Sequence, residues 1–494
     1  MNYISTRSEN CPKISSAEAI KNGLAPDGGL YMPETVPTLT NEEIATLTWL
    51  SYPARAAKIL AKFLTDYTEE ELLADAESAY AASRFDGTPA PVVPLSDLFV
   101  LELFHGPTCA FKDMALQLMP RLFSRALTKC KEEKTALILT ATSGDTGKAA
   151  LEGYRDIDGV KLQVFYPTDG VSALQKLQMQ TQEGGNLSVV AIRGNFDDAQ
   201  SGVKAIFADP EMKKKLEARG VFLSSANSIN FGRLVPQIVY YVSAYCDLVS
   251  DGHIAPGDPI DVAVPTGNFG NIFAAFIAKQ MGLPLGTLLC ASNCNHVLTD
   301  FFERGVYDRN RPFYQTISPS MDILISSNLE RLLFLIAGAK RTAAYMESLA
   351  KTGAYRLTPE DFAEVQRHFV GMYTDEEETR RTIRDTYEKQ NYLTDPHTAV
   401  ALCAARRYEK IRKAERKMLV VSTASPYKFA KDVTHALTGG ASPEGMEAAD
   451  RLHTLTGRGI PAPLDALRDR AIRFSEVIEA PDMPQVVLRF AENQ

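Results

Sequence analysis

A chain of 494 residues is too long for one compact core, so two or three domains are expected. Its 45% hydrophobic and 23% charged residues describe an ordinary globular protein. The net charge of -8 excludes a general nucleic-acid or anionic-membrane binder, which needs an excess of Lys and Arg.

The opening Met1-Asn2-Tyr3-Ile4-Ser5-Thr6-Arg7 lacks a charged-then-apolar signal pattern, and the longest apolar run, residues 332–337, is far too short to span a bilayer. A soluble, cytoplasmic protein without membrane contact is therefore expected. Seven cysteines show no metal or redox spacing, which fits reduced thiols in the cytosol. Cys290, Cys294 and His296 form the one tight cluster. With no second ligand pair nearby it reads as a strand end entering a loop, so no metal is expected.

Residues 1–92 read as an N-terminal unit with turn signals at Ala25-Pro26-Asp27-Gly28-Gly29 and helices over 41–50 and 69–83. Residues 87–91 look like a linker or an extended crossing. From residue 135 strands and helices alternate: strands at 136–139, 162–166, 187–192 and from 221, helices at 147–154, 172–181 and 197–208. The alternation resumes with strands at 260–264 and 288–291 around a helix at 272–281. Residues 340–415 look mainly helical, with a solvated charged face over 375–389, and a buried strand at 418–421 closes the series. This predicts an α/β protein with two open, mostly parallel lobes and a cleft between them, plus the mostly helical N-terminal unit. The expected division is 1–92, a large lobe from 93–134 and 240–494, and a smaller lobe over 135–239.

Lys112, in Phe111-Lys112-Asp113 after a Gly-Pro turn, stands at an expected helix start. Burial and a helix N-terminus both disfavour its ammonium form, and a neutral amine forms a Schiff base with an aldehyde. Taken alone, it reads as a solvated surface lysine, as most lysines are; the loops further along change that.

Three loops add to it. Thr142-Ser143-Gly144-Asp145-Thr146-Gly147 joins a strand to a helix and offers hydroxyls and unsatisfied N–H groups to a carboxylate or phosphate; the plain alternative is a helix start capped by Asp145 or Thr146. Gly267-Asn268-Phe269-Gly270-Asn271 follows another strand and carries no acidic residue, so it is either a phosphate cradle or a tight turn. No Gly-Lys-Thr/Ser follows it, and its glycine spacing is not that of a dinucleotide site. Thr423 and its neighbours place hydroxyls at the end of the last strand, where ligands of open α/β sheets sit, or where simple caps form.

Together with Gly23-Leu24-Ala25-Pro26-Asp27-Gly28-Gly29-Leu30-Tyr31, His105 through Met114, Asn227-Ser228-Ile229-Asn230-Phe231-Gly232-Arg233 and Asp395-Pro396-His397-Thr398-Ala399, these segments resemble the fold-type-II family of pyridoxal-phosphate enzymes, and within it the threonine synthase branch. The resemblance spans nearly the whole chain, with no departure at Lys112, at the Gly267–Asn271 loop or at Thr423. It implies that Lys112 carries pyridoxal 5'-phosphate as a Schiff base and then moves protons at the substrate Cα and Cβ. It implies that Gly267, Asn268, Phe269, Gly270 and Asn271 bind the cofactor phosphate. Thr423 would meet the pyridine nitrogen, making a milder electron sink than an aspartate would.

The implied reaction converts O-phospho-L-homoserine and water to L-threonine and phosphate. Arg233, supported by Asn227 and Asn230, would form a second anion pocket, since guanidinium matches phosphate in a fork; otherwise Arg233 is an interdomain or surface ion-pair residue. Ser143, Asp145 and Thr146 would line the amino-acid end, with Asp145 orienting the loop or meeting the substrate ammonium. His105 and His397 read as proton carriers or as packed structural histidines. A small-molecule substrate and a monomer or weak homodimer are implied.

Three rivals stand beside this reading. One is another enzyme of the same fold, such as a serine/threonine dehydratase or β-replacing synthase. The second is a phosphate-ligand binder without turnover, and the third a nicotinamide dehydrogenase, which the missing fingerprint disfavours.

Overall fold

The protein is described by a computed structural model over residues 1–96, 98–142, 144–168 and 171–492. Ser143 lies outside the described residues.

Apolar runs such as Met418-Leu419-Val420-Val421, buried on both faces, form the strands of two separate sheets. In the larger, the spatial order is Phe369–Tyr373, Leu285–Ser292, Ile260–Pro265, Lys417–Ser422, Leu98–Glu102 and Val92–Leu95. All neighbours are parallel except the last pair, an antiparallel hairpin. The smaller sheet runs Val477–Ile478, Leu187–Ile192, Val160–Pro167, Thr135–Ala141 and Val221–Ser224, parallel throughout. Helices cover the strands, as parallel crossovers require.

Phe231–Ser250 is a 20-residue helix buried almost all round. The N-terminal helices Asn41–Thr48 and Tyr52–Phe63 pack on it. The Arg55 guanidinium reaches the Asp247 carboxylate at 2.5 Å and Ser243 Oγ at 2.7 Å. The N-terminal strand Tyr3–Ser5 leads into Arg7, which pairs with Glu330 at 2.7 Å. The same carboxylate accepts the Thr6 hydroxyl at 2.6 Å.

Arg331, fully buried, gathers carbonyl oxygens from three segments. It donates to Tyr31 O at 3.4 Å, Ser228 O at 3.3 Å and Ile229 O at 2.6 Å, and also bonds Asn328 Oδ1. One side chain thereby fastens the N-terminal unit, the loop before Arg233 and the segment beside the Gly267–Asn271 loop.

Three features depart from the sequence expectation. The large sheet gains an edge strand, Phe369–Tyr373, inside the stretch read as helical. The expected linker at 87–91 leads straight into the hairpin Val92–Leu95 and Leu98–Glu102. The chain end, assigned with 240–494 to the large lobe, returns to the smaller sheet. There Val477–Ile478 adds beside Leu187–Ile192, and Met483, Val486 and Val487 bury against Val190 and Phe165. Burial of that apolar helix face outweighs proximity in sequence.

The short helix Asp113–Leu116 lies directly under Asp145–Tyr154. A Cβ on Gly153 would sit 1.8 Å from Leu116 O, so only glycine permits this approach. Among the described residues no helix is long and apolar enough to cross a membrane.

Candidate active site

Main-chain pairing with the segment after Lys417–Ser422 sets the position of Lys112. Phe111 N–H donates to Thr423 O at 2.8 Å and Ser425 N–H to Cys109 O at 3.0 Å, while Ala110 and Ala424 form an antiparallel bridge. Asp113 closes the turn from the other side, accepting the Thr108 N–H at 2.8 Å and its hydroxyl at 2.7 Å. Lys112 and Thr423 are thus adjacent through their backbones. The helix that follows the lysine has four residues, too short for the dipole contribution expected of it. Burial is the larger cause: it lowers the amine's pKa, Asp145 opposes that, and Arg233 and Lys428 add to the lowering.

The Lys112 Nζ lies 3.4 Å from both Asp145 Oδ2 and Ser320 Oγ. Asp145 is no cap. It opens the helix Asp145–Tyr154 after Gly144, and the capping hydroxyl is that of Thr142, which accepts the N–H groups of Gly144 at 3.0 Å and Gly147 at 2.9 Å. This sets aside the alternative of an N-cap at Asp145 or Thr146, and it also takes two donors from the loop's anion-binding set. The Asp145 carboxylate instead meets Lys428 Nζ at 2.7 Å and Gln175 Nε2 at 2.9 Å. Burial alone would raise its pKa; Lys428 and Lys112 hold it well below the usual carboxylate range. Gln175 and Lys428 also line a cavity of about 310 Å³, bounded further by Pro319, Asp322 and Phe429.

Asn268, Phe269 and Gly270 lead from the strand Ile260–Pro265 into the helix Gly270–Gln280. Phe269 sits at φ +65, a left-handed conformation that costs a bulky residue of order 1–3 kcal/mol. Its ring packs against both Phe302 and Phe369, at centroid distances of 5.9 and 5.7 Å. The loop's carbonyls are taken: Ser326 Oγ donates to Gly267 O at 2.7 Å, and Asn328 N and Nδ2 donate to Asn268 O at 3.1 and 2.9 Å. Among the described residues no protein acceptor meets the N–H groups of Asn268, Phe269 or Gly270. Asn271 Oδ1 accepts the hydroxyls of Tyr240 at 2.6 Å and Tyr241 at 2.5 Å, which turns its amide Nδ2, buried and unpartnered, toward donation. Such a donor set without a carboxylate suits a phosphate.

Ser320 joins this loop to the lysine. A Cβ on Gly267 would lie 2.5 Å from Ser320 O, while Ser320 Oγ faces the Lys112 amine. The Ser320 N–H donates to His397 Nε2 at 3.1 Å, and His397 Nδ1 bonds Asp395 Oδ1 at 2.8 Å.

Arg233 is buried and, among the described residues, makes no ion pair; it donates to Ala226 O at 3.1 Å and Thr146 Oγ1 at 3.4 Å. Burial pulls its pKa down to about 10. An unpaired buried guanidinium is costly unless an anion arrives. Asn230 serves as an N-cap, accepting the Gly232 N–H at 2.9 Å, while its Nδ2 donates to Ile20 O and Ser225 O. All its amide atoms are thereby engaged. Asn227 is half-buried in the turn just before it. His105 pairs with Glu102 at 2.8 Å and stacks on Phe104.

Lys428 and Ser320 were missed by sequence reasoning. Lys428 carried a faint signal, as a cation inside the apolar Pro426–Phe429 turn just after Thr423. Ser320 carried none.

Residues 85–424 match the family described as pyridoxal-phosphate dependent enzyme, which defines the class of this α/β chain. The flanks narrow it: residues 2–80 match the threonine synthase N terminus and residues 398–487 the threonine synthase C-terminal region. The chain belongs to the threonine synthase family.

It is 40% identical to threonine synthase of Pseudomonas aeruginosa, covering 91% of this chain and 93% of that protein. It is 41% identical to threonine synthase-like 1 of Homo sapiens over 88% of its own length, and spans 60% of that longer relative. Among solved structures, PLP-bound threonine synthase from Brucella melitensis superposes with a TM-score of 0.87 at 36% identity, over 100% of both chains. Threonine synthase from yeast superposes with a TM-score of 0.88 at 33% identity, covering 100% of this chain and 98% of that one.

Proposed function

We propose that this chain is a pyridoxal-phosphate-dependent lyase that converts O-phospho-L-homoserine and water to L-threonine and phosphate. The observation that carries the reading is Ser320, whose backbone abuts Gly267 while its hydroxyl faces the Lys112 amine. A phosphate-type donor loop and a depressed lysine are thereby walls of one cavity. The residues fit the cofactor: Lys112 for its aldehyde, the N–H groups of Asn268, Phe269 and Gly270 with the Asn271 amide for its phosphate, and Thr423 beside Lys112 for its ring nitrogen.

Pyridoxal phosphate, when bound, supplies the electron sink that makes carbanions at the substrate Cα and Cβ accessible. Lys112, once free, takes and returns protons at those carbons, a task suited to an amine whose pKa burial has lowered. Arg233 receives the substrate phosphate and holds it as it leaves, with Thr146 and Asn227 beside it. Thr146, which Arg233 meets, borders the amino-acid end. Asp145 does not bind substrate carboxylate: it balances Lys112 and Lys428.

The same reading assigns 1–92 to a docking unit, 93–134 with most of 240–494 to the cofactor lobe, and 135–239 with the chain end to the lobe that closes on substrate. It takes the protein as a cytoplasmic monomer or weak homodimer with no nucleic-acid partner.

Steady-state assays test it. Phosphate release from O-phospho-L-homoserine with equimolar threonine is expected. Ketoacid formation from L-threonine in its place would establish a dehydratase.

A further inference from the structure

Lys428 is fully buried, yet the proposed reaction gives it no step. It is held from two sides. Its Nζ donates to Thr108 O at 2.9 Å, in the turn that leads to Lys112, and lies 2.7 Å from Asp145 Oδ1, on the helix of the smaller lobe. Its own segment follows Thr423 directly. One ammonium therefore ties together the lysine turn, the end of the strand Lys417–Ser422 and the first helix across the cleft. Asp145 turns its second oxygen toward Lys112, at 3.4 Å.

We propose that Lys428 is a positioning residue for the reaction: it fixes Asp145 across the cleft and takes up part of its negative charge, so that the Lys112 nitrogen faces a carboxylate already half-compensated. This rests on the assignment of Lys112 as the cofactor-bearing base.

The charged groups facing Lys112 are few. Asp145 comes from the helix Asp145–Tyr154, Lys428 from the turn Pro426–Phe429, and Arg233 from the helix Phe231–Ser250. Ser320 brings a hydroxyl, with His397 and Asp395 behind it. Asp113, next in sequence, points away into the Thr108 turn. Among these Asp145 is the anion, and it is shared. Were Lys428 uncharged, Asp145 would stabilise the Lys112 ammonium undivided and the base would be harder to free. Were Asp145 neutral, two cations would face Lys112 with nothing opposing them.

The test is competitive labelling of the full chain, freed of pyridoxal phosphate, with trace acetic anhydride from pH 6 to 11. Acetylation of Lys112 is read by peptide mass spectrometry against surface lysines of the same molecule. Lys428→Met is expected to raise the Lys112 midpoint by about one pH unit, hence roughly tenfold slower labelling below it. Lys428→Arg, which keeps the charge, should restore the wild-type curve. Asp145→Asn should lower the midpoint, and Lys428→Gln carries the test if Lys428→Met does not fold. An unmoved midpoint in the folded variants, or a fall in Lys428→Met, overturns the proposal. A parallel sample with pyridoxal phosphate added separates the two readings. If the cofactor fails to protect Lys112 in the wild type, the base assignment falls and the proposal with it; protection with unmoved midpoints sinks only the role of Lys428.

Discussion

The backbone N–H of Ser320 donates to Nε2 of His397, and that bond decides what His397 is. A ring nitrogen that accepts carries no proton, so the imidazole holds its hydrogen on Nδ1, where Asp395 takes it. His397 is a peg for the Ser320 loop, and of the two readings open from sequence the structural one stands.

Replacing His397 by Ala should leave the half-buried Ser320 N–H without its acceptor. The cost is about 1–3 kcal/mol, felt where the loop meets Gly267 and Lys112. Weaker retention of pyridoxal phosphate is expected, read by equilibrium dialysis. A variant that holds the cofactor as tightly as the wild type would show the loop needs no peg.

Asn271→Asp keeps the shape and both tyrosine bonds but exchanges the unpartnered amide donor for an anion. Loss of a charge-assisted bond, about 1.5–3 kcal/mol, predicts a cofactor dissociation constant higher by roughly 10- to 100-fold. Fluorescence titration with pyridoxal phosphate measures it. Equal affinity would place the cofactor phosphate elsewhere.

Arg233→Met should raise KM for O-phospho-L-homoserine by about 100-fold or more while pyridoxal phosphate still binds, because the proposed function gives the guanidinium the second anion pocket. Unchanged KM, or loss of the cofactor together with the substrate, would remove Arg233 from that pocket.

Arg331→Met strips bonds from Tyr31 O, Ser228 O and Ile229 O at once. A buried acceptor left unmet costs about 1–3 kcal/mol and the two half-buried ones less, so the thermal midpoint should fall by several degrees. Calorimetry of the full chain checks this, and an unchanged midpoint would mean water replaces the guanidinium without loss.

Burial is the main cause that pushes Asp113 up to about 6, against Thr108 donors and Lys428, which work the other way. Its carboxyl takes up a proton in the folded chain at a higher pH than in the unfolded one. Between its ordinary value near 3.8 and about 6 the native state binds more protons, so this group's contribution to stability rises as pH falls. Asp113→Asn should remove that trend. The stability of the wild type relative to the variant should drop, on the order of 2 kcal/mol, as pH rises from 4 to 6. Parallel denaturation curves at the two pH values would refute the shift.

The inner strands of both sheets were legible because they are mostly apolar runs bounded by turn residues, as at 187–192 and 260–264. The edge strand Phe369–Tyr373 was not: five residues between strongly helical stretches carry no distinguishing period. Around the lysine, local pattern singled out Lys112, Asp145 and the Asn268 loop. It could not give Ser320, which matters only because a distant loop folds over Gly267, nor the diversion of Asp145 to Lys428. Hydrogen bonding across the cleft is a property of the packed chain, and no spacing within one segment encodes it. Asn230 illustrates the converse: its place in a recognised motif suggested a ligand contact, while its amide is spent on capping a helix.

Gly153 rests its bare Cα on the carbonyl of Leu116. The gap between the segment bearing the amine and the one bearing its counter-ion is therefore gauged by main chain against main chain. No rotamer can widen or narrow it, so drift elsewhere in the sequence leaves that interval untouched, and variation in reactivity has to arise from the loops around it.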